Sequence, residues 1–135
     1  MVRIMKLIQI YWMALTISGL CYLAFWFAPY TYSSFSPELQ TLLAYSGLGA
    51  WYKLPAWFDW SYFILTLVAY VGMMSFRKIF LWLFVLTFVL SIVMEAATGA
   101  TIITGMETFI IDTSTALASF VIGLAFFSPL KDRFR

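Results

Sequence analysis

The fold is decided by residues 79–97, which read IFLWLFVLTFVLSIVMEAA and carry no charge before Glu95. An apolar stretch of about 20 residues is long enough for a helix to cross the roughly 30 Å hydrocarbon core of a bilayer. Three further apolar stretches of similar length lie along the chain, at residues 7–28, 57–76 and 109–130. The pattern predicts an all-α, polytopic membrane protein in which residues 1–135 form one domain with four transmembrane helices.

The composition excludes a water-soluble protein. Hydrophobic residues make up 64% of the 135 residues and charged residues only 10%, whereas an ordinary globular domain carries roughly 25% charged residues. The chain has no histidine and one cysteine, Cys21, so imidazole ligation of a metal or haem and an internal disulfide are excluded. We therefore expect no metal and no cofactor.

A short polar segment, Ser75-Phe76-Arg77-Lys78, separates the second and third apolar stretches. A single helix from Trp60 to Ala97 would be about 57 Å long at 1.5 Å per residue, which far exceeds the thickness of a bilayer. The sequence therefore predicts a tight helical hairpin at Arg77 and Lys78.

The charges are distributed unequally between the two predicted membrane faces. If the N-terminus lies inside, seven of the eight basic residues fall on the inner side and Lys53 alone lies outside, while five of the six acidic residues fall toward the outer face. The positive-inside rule then predicts an inner (plasma) membrane protein with both termini in the cytoplasm and external loops at residues 29–56 and 98–108. The net charge of +2 gives no reason to expect nucleic acid as a partner.

The first external loop contains the start of a helix. In Ser36-Pro37-Glu38, a capping hydroxyl precedes a proline at the first helical position and a carboxylate in the first turn. We expect a short interfacial helix that ends at Gly47 and Gly49. The aromatic residues around it fit either a membrane-interface belt or a docking surface for another protein, and the candidates for such a surface are Trp51, Tyr52, Trp57 and Trp60.

Two polar stripes interrupt the third and fourth apolar stretches. One recurs every four residues and consists of Thr87, Ser91 and Glu95. The other recurs every three or four residues and consists of Asp112, Thr115, Ser119 and Gly123. Each stripe has a carboxylate about 24 Å from the inner boundary. The short connection predicts that these two helices are antiparallel neighbours, which would bring Glu95 and Asp112 into one site.

Several interpretations of the stripes stay open. Thr115, Ser119 and Gly123 fit a small-residue packing seam, with the carboxylates reaching interfacial water. The carboxylates also fit a cation or proton site, or a contact with a basic residue of another membrane subunit. A catalytic pair is disfavoured because no substrate-positioning groups accompany it, so we expect no enzyme. The candidate ion- or partner-binding residues are Glu95, Asp112, Glu107, Ser91, Thr115 and Ser119.

The overall layout resembles that of the DoxX-like small four-span membrane proteins. The local matches are Ser36-Pro37-Glu38-Leu39-Gln40, Gly47-Leu48 leading to Leu54-Pro55-Ala56-Trp57, and Val71-Gly72 followed by Arg77. The resemblance implies the fold rather than a function.

The leading functional expectation is a non-enzymatic inner-membrane protein that acts by protein–protein interaction. It would be a subunit of a membrane complex or a toxin-neutralising, immunity-type partner, in contact with the lipid bilayer and with another membrane protein or itself. The alternative is a small homo-oligomeric channel or transporter for a cation or protons that uses Glu95 and Asp112.

Overall fold

The computed structural model describes residues 2–44, 55–97 and 102–135, and these residues contain helices and short turns. The helices are α1 (Val2–Phe27), a 3₁₀ helix (Ala28–Ser34), α2 (Pro37–Ala44), α3 (Ala56–Met73), α4 (Lys78–Ala97), α5 (Gly105–Phe127) and a second 3₁₀ helix (Pro129–Arg133). Within the described residues there is no strand, so the predicted all-helical fold is confirmed.

Three helical segments are long and apolar enough to cross a membrane, at residues Ile4–Ser34, Lys78–Ala97 and Gly105–Phe127. They indicate a membrane-embedded protein. Helix α3 is not among them. Its 18 residues give about 27 Å of helix, and its first turn carries Asp59 between aromatic residues. Its bounds lie within three residues of the predicted second span, whereas its passage through the membrane stays a prediction.

The helices pack mainly as two pairs, α1 with α5 and α3 with α4, and the contacts of α4 with α5 and of α1 with α3 are sparser. The main neighbour of α5 is therefore α1 rather than α4. Small side chains on one face of α5 allow its close approach to α1, and the buried residues of this face below the first turn are Ser114, Ala118, Val121 and Ala125.

The interpretation of Thr115, Ser119 and Gly123 as a packing seam within the bundle, one of those left open by the sequence, does not match the buried face of α5. Thr115 and Ser119 are exposed, and a Cβ atom added to Gly123 would meet nothing within 4 Å. Successive helix positions are rotated by about 100°, so the stripe and the true seam occupy different faces of the same helix. The polar stripe and the buried face of α5 both consist largely of small residues, so residue size alone does not show which of them packs against α1.

The predicted hairpin between α3 and α4 is confirmed, and the C-terminal residues lie against it. The backbone N–H of Arg135 donates to the carbonyl of Phe76 at 3.0 Å, and the N–H of Lys78 donates to the carbonyl of Arg135 at 2.8 Å. Phe76 has a φ of 52°, a left-handed conformation that is uncommon for a residue with a side chain. These bonds bring Arg77, Lys78 and Arg135 to one end of the molecule, here called the basic end.

An aromatic cluster closes the basic end. The ring of Tyr11 in α1 stacks on Phe76 with centroids 5.1 Å apart, and Phe134 meets Phe76 edge-on at 5.3 Å. The Tyr11 hydroxyl donates to the carbonyl of Met73 at 3.1 Å, so α1, the hairpin and the C-terminal segment are joined in one contact region.

The predicted start of α2 is also confirmed, because Pro37 is its first residue. The Ser36 hydroxyl accepts from the N–H of Leu39 at 3.4 Å. Hydrogen bonds from the Glu38 backbone and from Ser36 hold the pKa of the Glu38 carboxyl below its usual value. The predicted helix end at Gly47 and Gly49 lies outside the described residues.

Candidate binding site at the acidic end

The end of the helices opposite the basic end carries Asp59, Glu95 and Glu107 and is here called the acidic end. Glu107 stands in the first turn of α5, where it forms a reciprocal capping box with Thr104. Its Oε2 accepts from the Thr104 N–H and from the Thr104 hydroxyl, both at 2.8 Å, and its own N–H donates to that hydroxyl at 3.2 Å. The Tyr32 hydroxyl donates to Oε1 of Glu107.

These bonds give Glu107 a structural role. The side chain is only 3% exposed, and it ties the first 3₁₀ helix to the start of α5. Its carboxylate oxygens already accept three hydrogen bonds from side chains and backbone, so it has little capacity left for a ligand. The sequence motif Thr-x-x-Glu at residues 104–107 is a signature of a helix start, and α5 accordingly begins at Gly105, inside the predicted external loop at residues 98–108.

A cavity of about 310 Å³ at the acidic end contains the clearest candidate site. Two carboxylates line it, Asp59 from α3 and Glu95 from α4. Its other lining residues are mainly aromatic or apolar, and they are Tyr22, Phe25, Trp26, Tyr62, Ser91, Met94, Ile103 and Ile111. We call this cavity the acidic vestibule.

The carboxylates on the wall of the vestibule are Glu95 and Asp59, not Glu95 and Asp112 as the sequence predicted. Asp112 is exposed on α5, and it is its neighbour Ile111 that lines the cavity. Asp59 is one of the five acidic residues predicted toward the outer face, but it is absent from the predicted site because it stands alone among aromatic residues, outside either polar stripe. The α3–α4 hairpin places Asp59 on the wall of the same cavity as Glu95, and this tertiary arrangement has no local sequence signal.

A second, smaller cavity of about 70 Å³ adjoins the vestibule on the side of the basic end. The two cavities share four lining residues, namely Tyr22, Tyr62, Ser91 and Ile111. Hydroxyl groups dominate the rest of its wall, and they belong to Thr66, Tyr70, Thr87, Ser114 and Thr115. We call it the hydroxyl chamber.

The predicted site residues Ser91 and Thr115 both line the hydroxyl chamber, although they stand on different helices. Ser119 takes no part in either cavity wall. It is exposed, and its hydroxyl donates to the carbonyl of Thr115 at 2.8 Å, which is an ordinary intrahelical bond for a serine in an apolar helix.

A hydrogen-bonded network stands beside the chamber and joins three helices. Ser18 of α1 is fully buried, its Oγ donates to the Ser114 carbonyl at 2.8 Å, and the Ser114 Oγ donates to the Ser18 carbonyl at 3.0 Å. The Tyr70 hydroxyl lies 2.8 Å from the Ser18 Oγ. Across the chamber, the Tyr62 hydroxyl donates to the Thr87 carbonyl at 3.0 Å.

The aromatic candidates differ in position. Trp60 lines a further cavity of about 300 Å³ that also includes Asp59 and Trp26, and the Trp60 ring lies 6.1 Å from that of Trp26. Trp57 is 69% exposed, and Trp51 and Tyr52 lie outside the described residues. Asp59 therefore stands between two aromatic cavities at the acidic end.

The vestibule combines negative charge with aromatic walls, a combination that suits a cationic group. An ammonium or guanidinium pairs with carboxylates and is also attracted to the faces of Trp and Tyr rings. Among residues 2–44, 55–97 and 102–135, no group of three or more His, Cys, Asp or Glu side chains is arranged to hold a metal ion.

Comparison with family models, with curated proteins and with solved structures gives no match for this chain. The resemblance to DoxX-like proteins therefore stays a prediction.

Proposed function

We propose that the chain is a non-enzymatic inner-membrane protein that binds another protein from the outer side, as a complex subunit or a toxin-neutralising partner. In this proposal all four long helices cross the membrane and both termini are cytoplasmic. The collection of Arg77, Lys78 and Arg135 at one end of the helices supports this orientation. The pairing of α3 with α4, which is long enough to cross, supports the fourth span.

The observation that carries the proposal is the acidic vestibule. Asp59 and Glu95 line a cavity with aromatic walls at the end remote from the basic residues. Carboxylates close to the hydrocarbon layer are rare and are typical of binding sites or of contacts with basic groups. A lysine or arginine side chain of a partner protein would be attracted to these carboxylates and would pack against Trp26 and Tyr62.

The rest of the core favours binding over conduction. Between the hydroxyl chamber and the basic end, the interior is filled by Leu15, Met73, Val121 and Leu130, each at most 1% exposed. Such close-packed apolar side chains oppose the passage of an ion. A cavity that packed side chains separate from the opposite end of the helices is the arrangement expected of a binding site.

The test compares the recovery of crosslinked partner from cells that produce the wild type, Asp59→Asn, Glu95→Gln, the double variant and Asp112→Asn. Loss of a charge that faces a partner's basic side chain in a partly buried site lowers affinity by about tenfold or more. We expect the double variant to lose the partner and Asp112→Asn to retain it, because Asp112 lies outside the vestibule. Equal recovery with all variants, or self-association as the sole product, would contradict the proposal.

The two carboxylates of the vestibule favour one second candidate, a transporter for a cation or protons in which Asp59 takes the place of Asp112 in a site with Glu95. The uncharged polar wall of the hydroxyl chamber extends the vestibule toward the middle of the helices. Purified protein in vesicles decides this: proton or alkali-cation flux that is abolished by Glu95→Gln and preserved by Asp112→Asn would support transport. Wild-type vesicles without flux above protein-free vesicles would eliminate it.

A further inference from the structure

Two buried hydroxyl groups in the hydroxyl chamber lack the partners that such groups normally have. Tyr22 is 8% exposed and Thr66 is 5% exposed. Neither hydroxyl oxygen forms a hydrogen bond of normal geometry among the described residues, although the Tyr22 hydroxyl lies near the polar groups of Thr66 and Trp26. A buried hydroxyl without a hydrogen bond is destabilising, so such groups are usually satisfied by protein or by ordered water.

The chamber has room for water beside these two groups. Its volume of about 70 Å³ is several times the roughly 10–15 Å³ that one water molecule needs on this measure. Buried water is held where two to four polar groups converge. Here the hydroxyls of Tyr22 and Thr66 face a space that Tyr62, Tyr70 and Ser91 also line.

The chemistry of the wall selects water over other small ligands. The lining residues are uncharged, so the chamber offers an ion no compensating charge in a low-dielectric interior. An apolar ligand would leave the hydroxyls of Tyr22 and Thr66 without partners. Water donates and accepts, and it therefore pairs with hydroxyl groups in either orientation.

We propose that the hydroxyl chamber is a hydration site, in which water bound between Tyr22 and Thr66 satisfies both hydroxyls. The site is independent of any partner protein. It connects the acidic vestibule, which shares Tyr22 with the chamber, to the Ser18, Tyr70 and Ser114 network, since Tyr70 and Ser114 line the chamber on its other side.

Hydroxyl-radical footprinting of the purified full-length protein tests this site, because radicals formed from bound water oxidise the side chains next to it. Tyr22 is the probe, and Tyr11 is the matched internal control. Both are buried tyrosines, but the Tyr11 hydroxyl is satisfied by the Met73 carbonyl and does not line the chamber. We expect Tyr22 to be oxidised several-fold more than Tyr11.

Thr66→Val separates bound water from general solvent access. The change removes one hydroxyl and keeps the shape of the side chain, so it should lower oxidation of Tyr22 several-fold and leave that of the exposed Tyr30 unchanged. If Tyr22 is oxidised no more than Tyr11 in the wild type, the chamber is dry and the proposal fails. If Thr66→Val leaves oxidation of Tyr22 unchanged, Thr66 does not hold the water and the proposal also fails.

Tyr22→Phe provides a second variant should Thr66→Val not fold. It removes the other unpartnered hydroxyl, and oxidation is then measured at Tyr62 and Tyr70, which line the same chamber. We expect a decrease at both. Unchanged oxidation at both residues would overturn the assignment.

Discussion

The basic and acidic ends of this protein use similar residues in opposite ways. At the basic end, Tyr11, Phe76 and Phe134 pack against one another, and Leu130 and Met73 are inaccessible to solvent. At the acidic end, Tyr22, Trp26 and Tyr62 line cavities. Close packing at one end stabilises the fold, whereas the cavities lined by aromatic and polar side chains at the other end are the feature on which the proposed binding site rests.

This difference predicts that substitutions at the basic end affect stability and that substitutions at the acidic end affect binding. Gly72→Ala should have the largest effect. A Cβ atom at this position in α3 would lie 2.1 Å from Cδ1 of Phe80, so the Phe80 ring or the backbone of the hairpin would have to shift. We expect a loss of about 3 kcal/mol in the free energy of unfolding, measured by denaturant titration in detergent micelles.

Gly123→Ala is the matched control for Gly72→Ala. Its new methyl group would meet nothing within 4 Å, so the higher helix propensity of alanine should leave stability unchanged or raise it by up to about 1 kcal/mol. Similar losses for the two variants would show that the hairpin is less tightly packed than its geometry indicates.

Glu107→Ala is expected to be an exception at the acidic end, because this carboxylate stabilises the fold. The variant loses the capping box with Thr104 and leaves the Tyr32 hydroxyl without its acceptor. We expect a loss of about 2 kcal/mol in the free energy of unfolding. Glu38→Ala, at an exposed position, should have a much smaller effect, and the structural role of Glu107 would be refuted if the two variants were equally stable.

Tyr11→Phe is a smaller change at the basic end than Gly72→Ala. It keeps the ring that stacks on Phe76 and removes the hydrogen bond to the Met73 carbonyl. The expected loss is about 1 kcal/mol, visible as a lower midpoint of thermal unfolding. Tyr30→Phe removes a hydroxyl from a side chain that is 73% exposed and serves as the control. An unchanged midpoint for Tyr11→Phe would mean that the hydrogen bond adds no stability and that the aromatic contacts alone stabilise this end.

Asp59→Asn should have the smallest effect on stability. Its carboxylate lies at the wall of the vestibule beside aromatic rings, so removing its charge should change the free energy of unfolding by no more than about 0.5 kcal/mol. The same denaturant titration measures this. A loss as large as that of Glu107→Ala would show that Asp59 stabilises the fold. The acidic end would then not differ from the basic end in its contribution to stability.

The sequence predicted the features that have local signals. The span in residues 79–97 follows from its length and lack of charge, the hairpin from Arg77 and Lys78, and the start of α2 from Ser36 and Pro37. The capping box of α5 has an equally local signal in Thr104 and Glu107, and it was available to sequence reasoning.

The composition of the site was not predictable in the same way. Whether Ser114 or Thr115 faces α1 depends on the rotation of α5 about its axis. Whether Asp59 or Asp112 lines the same cavity as Glu95 depends also on which helices pair. Four-residue spacing shows that residues share a face, but it does not tell which face is turned to a neighbour. That information comes from contacts distant in sequence, such as Ser18 with Ser114.

The arrangement of the helices as two pairs has a mechanical consequence. The vestibule and the chamber take their walls from both pairs, with Tyr22 and Ile111 on one side and Tyr62 and Ser91 on the other. The pairs are joined at the basic end by the bonds of Arg135 to the α3–α4 turn and by the Tyr11 contacts, and farther along by the Ser18–Tyr70 hydrogen bond and the Trp26–Phe63 ring contact. Because each cavity is enclosed by both pairs, a change in the separation of the pairs would alter the volume of the vestibule and of the chamber together.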